Sequence, residues 1–225
     1  MLHLHYLDNS RAHRILWLLE ELGAPYEVTV YQRSPDMRAP AELQNLHPLG
    51  KSPILQDGDR VLAESGAIAE YLMDNYGAGS GLRPAPGSEA ALRQTYWLHY
   101  AEGSAMPLLF AKLLFAQVPP RLPFPLRPLG RMIVNGVNKA LLGPELRRHA
   151  AYWEAELQRD GWFAGPDFSV ADIMMSFPIE AGLERIPVSP PPPALARYLQ
   201  AIRDRPAYKR ALENGGTYRY SGSTD

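Results

Sequence analysis

The chain predicts an α/β segment followed by an all-α segment. Three observations carry this. Residues 2–6 and 26–31 alternate in polarity around an intervening helical pattern. A stretch rich in glycine, alanine, serine and proline occupies 77–88. No strand pattern of any length follows it. With 225 residues there is room for one large or two small domains. The punctuated stretch is the best boundary, which divides the chain into 1–77, a linker over 78–88, and 89–225.

Leu2, Leu4 and Tyr6 alternate with His3 and His5 and predict a first strand. Asp8, Asn9 and Ser10 form a turn and helix-cap cluster. Ile15, Leu16, Leu18, Leu19 and Leu22 have helical spacing, and Gly23 supplies the stop. Residues 26–31 are an alternating second strand, parallel to the first by the crossover rule. Residues 33–45 are polar, contain Pro35 and Pro40, and predict a short irregular helix. Ile54-Leu55 and Val61-Leu62 flank Asp57-Gly58-Asp59, which is a hairpin signature. A helix opens at Glu64-Ser65-Gly66, with Ile68, Tyr71 and Leu72 on one face.

The second half predicts helices alone. Residues 88–117 form a long one with a kink at Pro107. Residues 118–128 hold five prolines and predict loop or extended chain. Residues 131–158 are helical, with a possible break at Gly143-Pro144. Ser169-Val-Ala-Asp172 is a capping box, with Phe168 and Ile173 placed for a hydrophobic staple. Its role is structural. Two short helices follow at 195–203 and 206–212, and the tail from Asn214 is expected to be poorly ordered.

Composition excludes several function classes. The chain is 46% hydrophobic and 21% charged, with net charge −1 and no long basic stretch, so nucleic-acid binding has no electrostatic support. It has no cysteine, which rules out disulfides, thiolate metal sites and a cysteine nucleophile. That fits a reducing, cytoplasmic setting. No histidine pair has metal spacing with suitable partners, so no metal is expected. The first residues lack the basic start and apolar core of a signal peptide, and no apolar run is long enough to span a membrane.

The stretch 45–71 has a specific use. A proline at a turn-to-strand junction, here Pro53 after Ser52, is where a cis bond costs only about 0.5–1 kcal/mol. A cis bond there exposes Ser52 backbone groups to an extended, peptide-like ligand. Ser65 stands at a helix N-terminus, which favours a carboxylate. The pair of motifs predicts a docking place for a short peptide with a free carboxylate.

Pro48-Leu-Gly-Lys-Ser-Pro53 followed by Glu64-Ser65-Gly-Ala-Ile68 resembles the glutathione site of the cytosolic glutathione S-transferases. Ser10-Arg-Ala-His-Arg14 resembles the serine-dependent members, and the capping box at Ser169 is shared by the family. The resemblance implies a thioredoxin-like glutathione-binding domain over 1–77 and an all-helical substrate-binding domain over 89–225. It also implies a cytoplasmic, homodimeric detoxification enzyme with glutathione as co-substrate. That enzyme joins the glutathione thiolate to hydrophobic electrophiles, with reduction of organic hydroperoxides as a further activity.

Such an enzyme must favour the thiolate of a thiol that titrates near about 8.5. A hydroxyl or amide donor just after the first strand does this, and Tyr6, Asn9 and Ser10 are the candidates. The order of preference is Ser10, then Tyr6, then Asn9; Ser10 is equally suited to capping its helix. By position in the family, Glu64 and Ser65 meet the γ-glutamyl end, Ser52 before Pro53 meets the cysteinyl part, and Lys51 and Arg38 meet the glycyl carboxylate. Arg38 reads equally as a solvated charge. His47 suits a turn role. Tyr100, Met106, Leu109, Phe110 and Leu113 are candidates for the electrophile wall, or else plain core. The competing functions are a glutathione-dependent disulfide reductase and a non-catalytic interaction module. Intact Lys51, Glu64 and Ser65 argue against the module.

Overall fold

The computed structural model describes residues 1–34, 39–186 and 190–222. The elements of the first half are β1 (Leu2–Leu7), α1 (Ala12–Leu22), β2 (Tyr26–Tyr31), α2 (Glu42–Leu46), β3 (Ile54–Asp57), β4 (Arg60–Ala63) and α3 (Ser65–Asn75). The sheet order is β2-β1-β3-β4, with β1 and β2 parallel and β3 antiparallel to both its neighbours. This is the thioredoxin-like arrangement. Leu2 and Leu4 on β1 and Leu55 on β3 pack with α1 and α3, whose Ile15, Leu16, Leu19, Ile68 and Leu72 are buried. Gly23 ends α1 in the left-handed conformation at φ 60°, which a residue without Cβ adopts at little cost.

Residues 76–88 carry no helix or strand. Beyond them lie α4 (Glu89–Tyr100), α5 (Met106–Ala116), α6 (Val118–Arg121), α7 (Arg127–Val137), α8 (Gly143–Asp160), α9 (Val170–Leu183), α10 (Pro193–Asp204) and α11 (Pro206–Asn214). No strand occurs among the described residues of this half. No helix of the described residues is long and apolar enough to cross a membrane.

Helix α9 is the centre of the helical half: residues 170–182 are all buried, although Pro178 lies inside it. Its start is the predicted capping box. The Ser169 Oγ accepts the Ala171 N–H at 3.3 Å, and Asp172 accepts the Ser169 N–H at 2.9 Å. Asp172 also accepts the Phe163 N–H at 2.8 Å, so it ties a neighbouring loop to the helix.

Three helical expectations need correction. The kink at Pro107 is a π-helical segment, Ala101–Ala105, immediately before it. A second π segment, Asn138–Leu142, precedes Pro144 in the same way. A proline has no N–H for the carbonyl four residues back, and a wider turn absorbs the mismatch. The helical run of 127–160 is therefore modulated rather than broken. Second, the proline-rich 118–128 is not extended: it forms α6 and a 3-10 turn, Phe124–Leu126. Its prolines fall at first-turn positions, where no N–H is required. Neither of these two elements buries a residue, and Phe124 is 81% exposed. Third, the tail is ordered through Gly222. It contains a 3-10 turn, Arg219–Ser221, and buries Tyr218 and Tyr220.

Candidate functional site

The site begins at the C-terminal end of β1. There the Ser52 hydroxyl accepts the Leu7 N–H at 2.9 Å and donates to the His5 carbonyl at 3.0 Å. These two bonds hold the 47–53 turn against β1. The Ser52–Pro53 peptide is cis, as the sequence predicts. Gly50, at φ 56°, closes the turn through its N–H to the His47 carbonyl at 2.8 Å. That is the turn role expected of His47.

Opposite this turn stands the start of α3. Glu64 precedes it at φ 71° and ψ 120°, a conformation that costs a non-glycine residue about 1–3 kcal/mol. Ser65, 3% exposed, is its first residue. Lys51, Ser52, Pro53, Glu64 and Ser65 line one open cleft together with Arg11, His47, Leu49 and Ala63. A backbone-rich turn thus faces a helix N-terminus, with cationic Lys51 and Arg11 and anionic Glu64 on the rim. Such a cleft suits a zwitterionic, extended ligand that carries carboxylates.

Sequence reasoning missed Arg11. Its signal was its place directly after Ser10 in the Ser-Arg-Ala-His-Arg run. Arg11 Nη1 donates to Glu102 Oε2 at 2.6 Å, and Arg14 donates to the other oxygen of the same carboxylate. Arg14 is fully buried and also donates to the Met174 carbonyl at 2.7 Å. Burial would raise the Glu102 carboxyl, but Arg14 and Arg11 outweigh it and hold it below its ordinary value. This triad joins α1 to the π segment after α4 and, through Met174, to α9.

The candidate thiol activators separate. Ser10, 7% exposed, precedes Arg11 on the cleft rim, and its Oγ accepts the Ala12 N–H at 3.1 Å. The hydroxyl takes up the N–H of the first residue of α1, although Arg11 is the N-cap, and still has its own proton to donate. Tyr6 is not brought to the cleft. It is fully buried, and its ring lies so close to Gly215 and Gly216 that a Cβ on either would stand 3.4 Å from it. Its hydroxyl has no hydrogen-bond partner among the described residues. Burial and the nearby carboxylates of Asp8 and Glu180 raise its pKa well above the phenol range. Asn9, at φ 50°, has its amide engaged: Oδ1 accepts the Arg219 N–H at 2.9 Å, and Nδ2 donates to Asp8 at 3.1 Å.

The remaining candidates also divide. Arg38 lies outside the described residues. Leu109 is fully buried core. Tyr100, 9% exposed, engages the helical core: its hydroxyl accepts the Trp153 indole N–H at 3.0 Å and meets His149 Nδ1 at 2.6 Å. At both positions the plain-core alternative describes the packing, because helix periodicity turns them inward. Phe110 and Leu113 are exposed, while Met106 is partly buried and packs toward Phe177 and Tyr218.

Comparison with known proteins agrees with the geometry. The family model described as "Glutathione S-transferase, N-terminal domain" matches residues 2–74, and "Glutathione S-transferase, C-terminal domain" matches residues 120–206. Glutathione S-transferase 3 of Schizosaccharomyces pombe is 37% identical over 214 residues, covering 95% of this chain and 87% of the relative. A glutathione S-transferase structure from Actinobacillus pleuropneumoniae superposes with a TM-score of 0.77 at 33% identity, covering 100% of this chain and 98% of that one. A sphingomonad glutathione S-transferase complexed with glutathione gives a TM-score of 0.69 at 26% identity, covering 94% and 97%. With its thioredoxin-like sheet, its helical second half and matches that span both, the chain belongs to the glutathione S-transferase family.

Proposed function

We propose that this protein is a glutathione transferase that joins the glutathione thiolate to small hydrophobic electrophiles. The observation that carries the proposal is the single cleft in which the cis-proline turn faces the strained start of α3. Glutathione is an extended tripeptide with a carboxylate at each end and an ammonium at one. The Ser65 hydroxyl and the α3 N-terminus suit the γ-glutamyl carboxylate, and Glu64 suits its ammonium. Ser52 offers backbone to the cysteinyl part, since its hydroxyl is bonded to β1. Lys51 suits the glycyl carboxylate.

The Ser10 hydroxyl is the donor to sulfur. A donor to the charged form lowers the thiol pKa, and the thiolate then attacks the electrophilic carbon while the leaving group departs or the π-bond electrons shift away. Met106, Phe110 and Leu113 of α5 offer an apolar surface for that electrophile. We read residues 1–77 as the glutathione-binding unit, 78–88 as the linker and 89–225 as the substrate-binding unit. The working form is a cytoplasmic homodimer engaged in detoxification.

Calorimetric titration with glutathione, paired with a conjugation assay on an activated aryl halide and a reduction assay on an organic hydroperoxide, tests the proposal. Glutathione binding with conjugation turnover is expected. Glutathione binding without turnover of either substrate would leave a disulfide reductase or an interaction module. No binding would remove the site assignment altogether.

A further inference from the structure

The C-terminal segment makes a set of contacts that the assigned chemistry does not use. From the end of α11 it runs back across the β1–α1 loop. The Asn9 N–H donates to the Thr217 carbonyl at 2.9 Å, and the Arg219 N–H donates to Asn9 Oδ1 at 2.9 Å. Asn9 is thus gripped on backbone and side chain by residues more than two hundred positions away. Between these two bonds, the Tyr218 ring stacks on His13 with centroids 4.0 Å apart and 18° between planes. The Tyr218 hydroxyl donates to Glu180 Oε2 at 2.5 Å, and Tyr208 donates to Oε1 at 2.6 Å. The next turn is anchored as well: Arg185 donates to the Tyr220 hydroxyl at 3.0 Å and Arg203 to its carbonyl at 3.1 Å.

Close approach needs the glycines at its start. A Cβ at Gly216 would stand 2.7 Å from the Val30 side chain, and one at Gly215 would stand 3.0 Å from Leu16. The segment therefore lies directly on β2 and α1. It fixes Asn9 in a positive-φ conformation, and Ser10 is the very next residue. His13, on the first turn of the helix that follows Ser10, is fully buried beneath Tyr218, and burial lowers its pKa to about 3. It packs there as a neutral ring.

We infer that residues 215–222 form a strap that sets the position of the Ser10 hydroxyl, with Asn9 and Tyr218 as positioning residues acting through it. This rests on the reading of Ser10 as the donor to the glutathione sulfur. The reason is geometric. A hydroxyl donor to sulfur works over a narrow range of distance and angle. The loop that carries Ser10 is a short turn between β1 and α1, and the strap bonds it directly at Asn9.

The test is titration of enzyme-bound glutathione by ultraviolet absorbance of its thiolate, with kcat and KM for glutathione measured alongside. The variants are Ser10→Ala, Asn9→Gly and Tyr218→Phe. Glycine keeps the positive φ open while removing the amide, and phenylalanine keeps the ring over His13 while releasing Glu180. In Ser10→Ala the bound thiol pKa is expected to rise. In Asn9→Gly and Tyr218→Phe it is expected to rise by a smaller amount in the same direction, kcat at neutral pH to fall several-fold, and KM for glutathione to change less than about twofold. A rise of one pKa unit corresponds to about a tenfold loss of thiolate well below the pKa. If Ser10→Ala shifts the thiol and both other variants leave pKa and kcat untouched, lowering only the melting temperature, the strap is merely structural and the inference falls. If Ser10→Ala itself shifts nothing, the reading of Ser10 falls, and the strap's role with it. Tyr218→Phe keeps the test open should Asn9→Gly fail to fold.

Discussion

At the scale of single residues, the site is built from side chains with two duties. Ser52 and Ser10 each make a structural bond to backbone, and each carries a ligand role in the function proposed above. Ser65 is the simplest to isolate, because it opens α3 and lines the cleft. In the proposed binding mode, Ser65→Ala removes one donor to a charged carboxylate, worth about 1.5–3 kcal/mol. Calorimetry should show glutathione binding weakened but not abolished, since the α3 N-terminus remains; unchanged affinity would count against the site. Tyr6 gives the opposite expectation. Its hydroxyl is buried with no partner among the described residues. Tyr6→Phe should therefore leave the pH profile of turnover in place and not lower the melting temperature, because an unpartnered buried hydroxyl contributes nothing favourable. A shifted profile would restore Tyr6 as the activator.

At the scale of elements, caps and prolines set where the helices begin and how they bend. Asp172 accepts N–H groups from two different segments and starts the most buried helix. Burial pushes its carboxyl up to about 7, against the Phe163 and Ser169 donors that favour the charged form. Asp172→Ala should lower stability by about 0.5–2 kcal/mol for the cap alone, and somewhat more for the orphaned Phe163 N–H. Glutathione affinity of the folded fraction should persist. Denaturant melts and calorimetry together check this: normal melting with lost affinity would give Asp172 a different role.

At the scale of the molecule, two carboxyl groups hold distant parts of the chain together. Glu102 bridges Arg11 and Arg14 across the halves, with the Arg14 side chain fully buried. Glu102→Ala leaves that guanidinium, among the described residues, with the Met174 carbonyl and the Phe177 ring, and stranding a buried charge in this way costs about 3–5 kcal/mol. A fall in the denaturation midpoint of that order is expected, and a loss below about 1 kcal/mol would show that the pair matters little. Glu180 anchors the strap. Burial raises its carboxyl from 4.5 to about 7, against Tyr208, Tyr218 and Arg203. The folded state then keeps this proton where the unfolded chain has released it. The resulting stability is complete below 4.5 and is lost as pH rises through about 7. Glu180→Gln should flatten the fall of melting temperature across that window, and an unchanged slope would assign the dependence to other groups.

Much of this was legible in the linear order of residues. The β-α-β pattern, the hairpin, the cis proline, the start of α3 and the capping box each depend on neighbours within a few positions. For these, turn chemistry and periodicity suffice. That Lys51, Ser52, Pro53, Glu64 and Ser65 share one cleft was legible for the same reason, since two local motifs bring them together. What local pattern could not settle was the direction of Tyr6, Tyr100 and Leu109, or the partners of Arg11 and Arg14. A polar or apolar side chain in a regular element faces whatever packs against it, and that neighbour comes from another part of the chain. The tail is the clearest case. Its glycines and tyrosines look like a disordered end when taken alone. In the folded molecule the glycines permit contact with β2 and α1, and the tyrosines find Glu180 and His13. Their order comes from buried area and hydrogen bonds across the fold, and these exist only once α1, α9 and α11 are assembled.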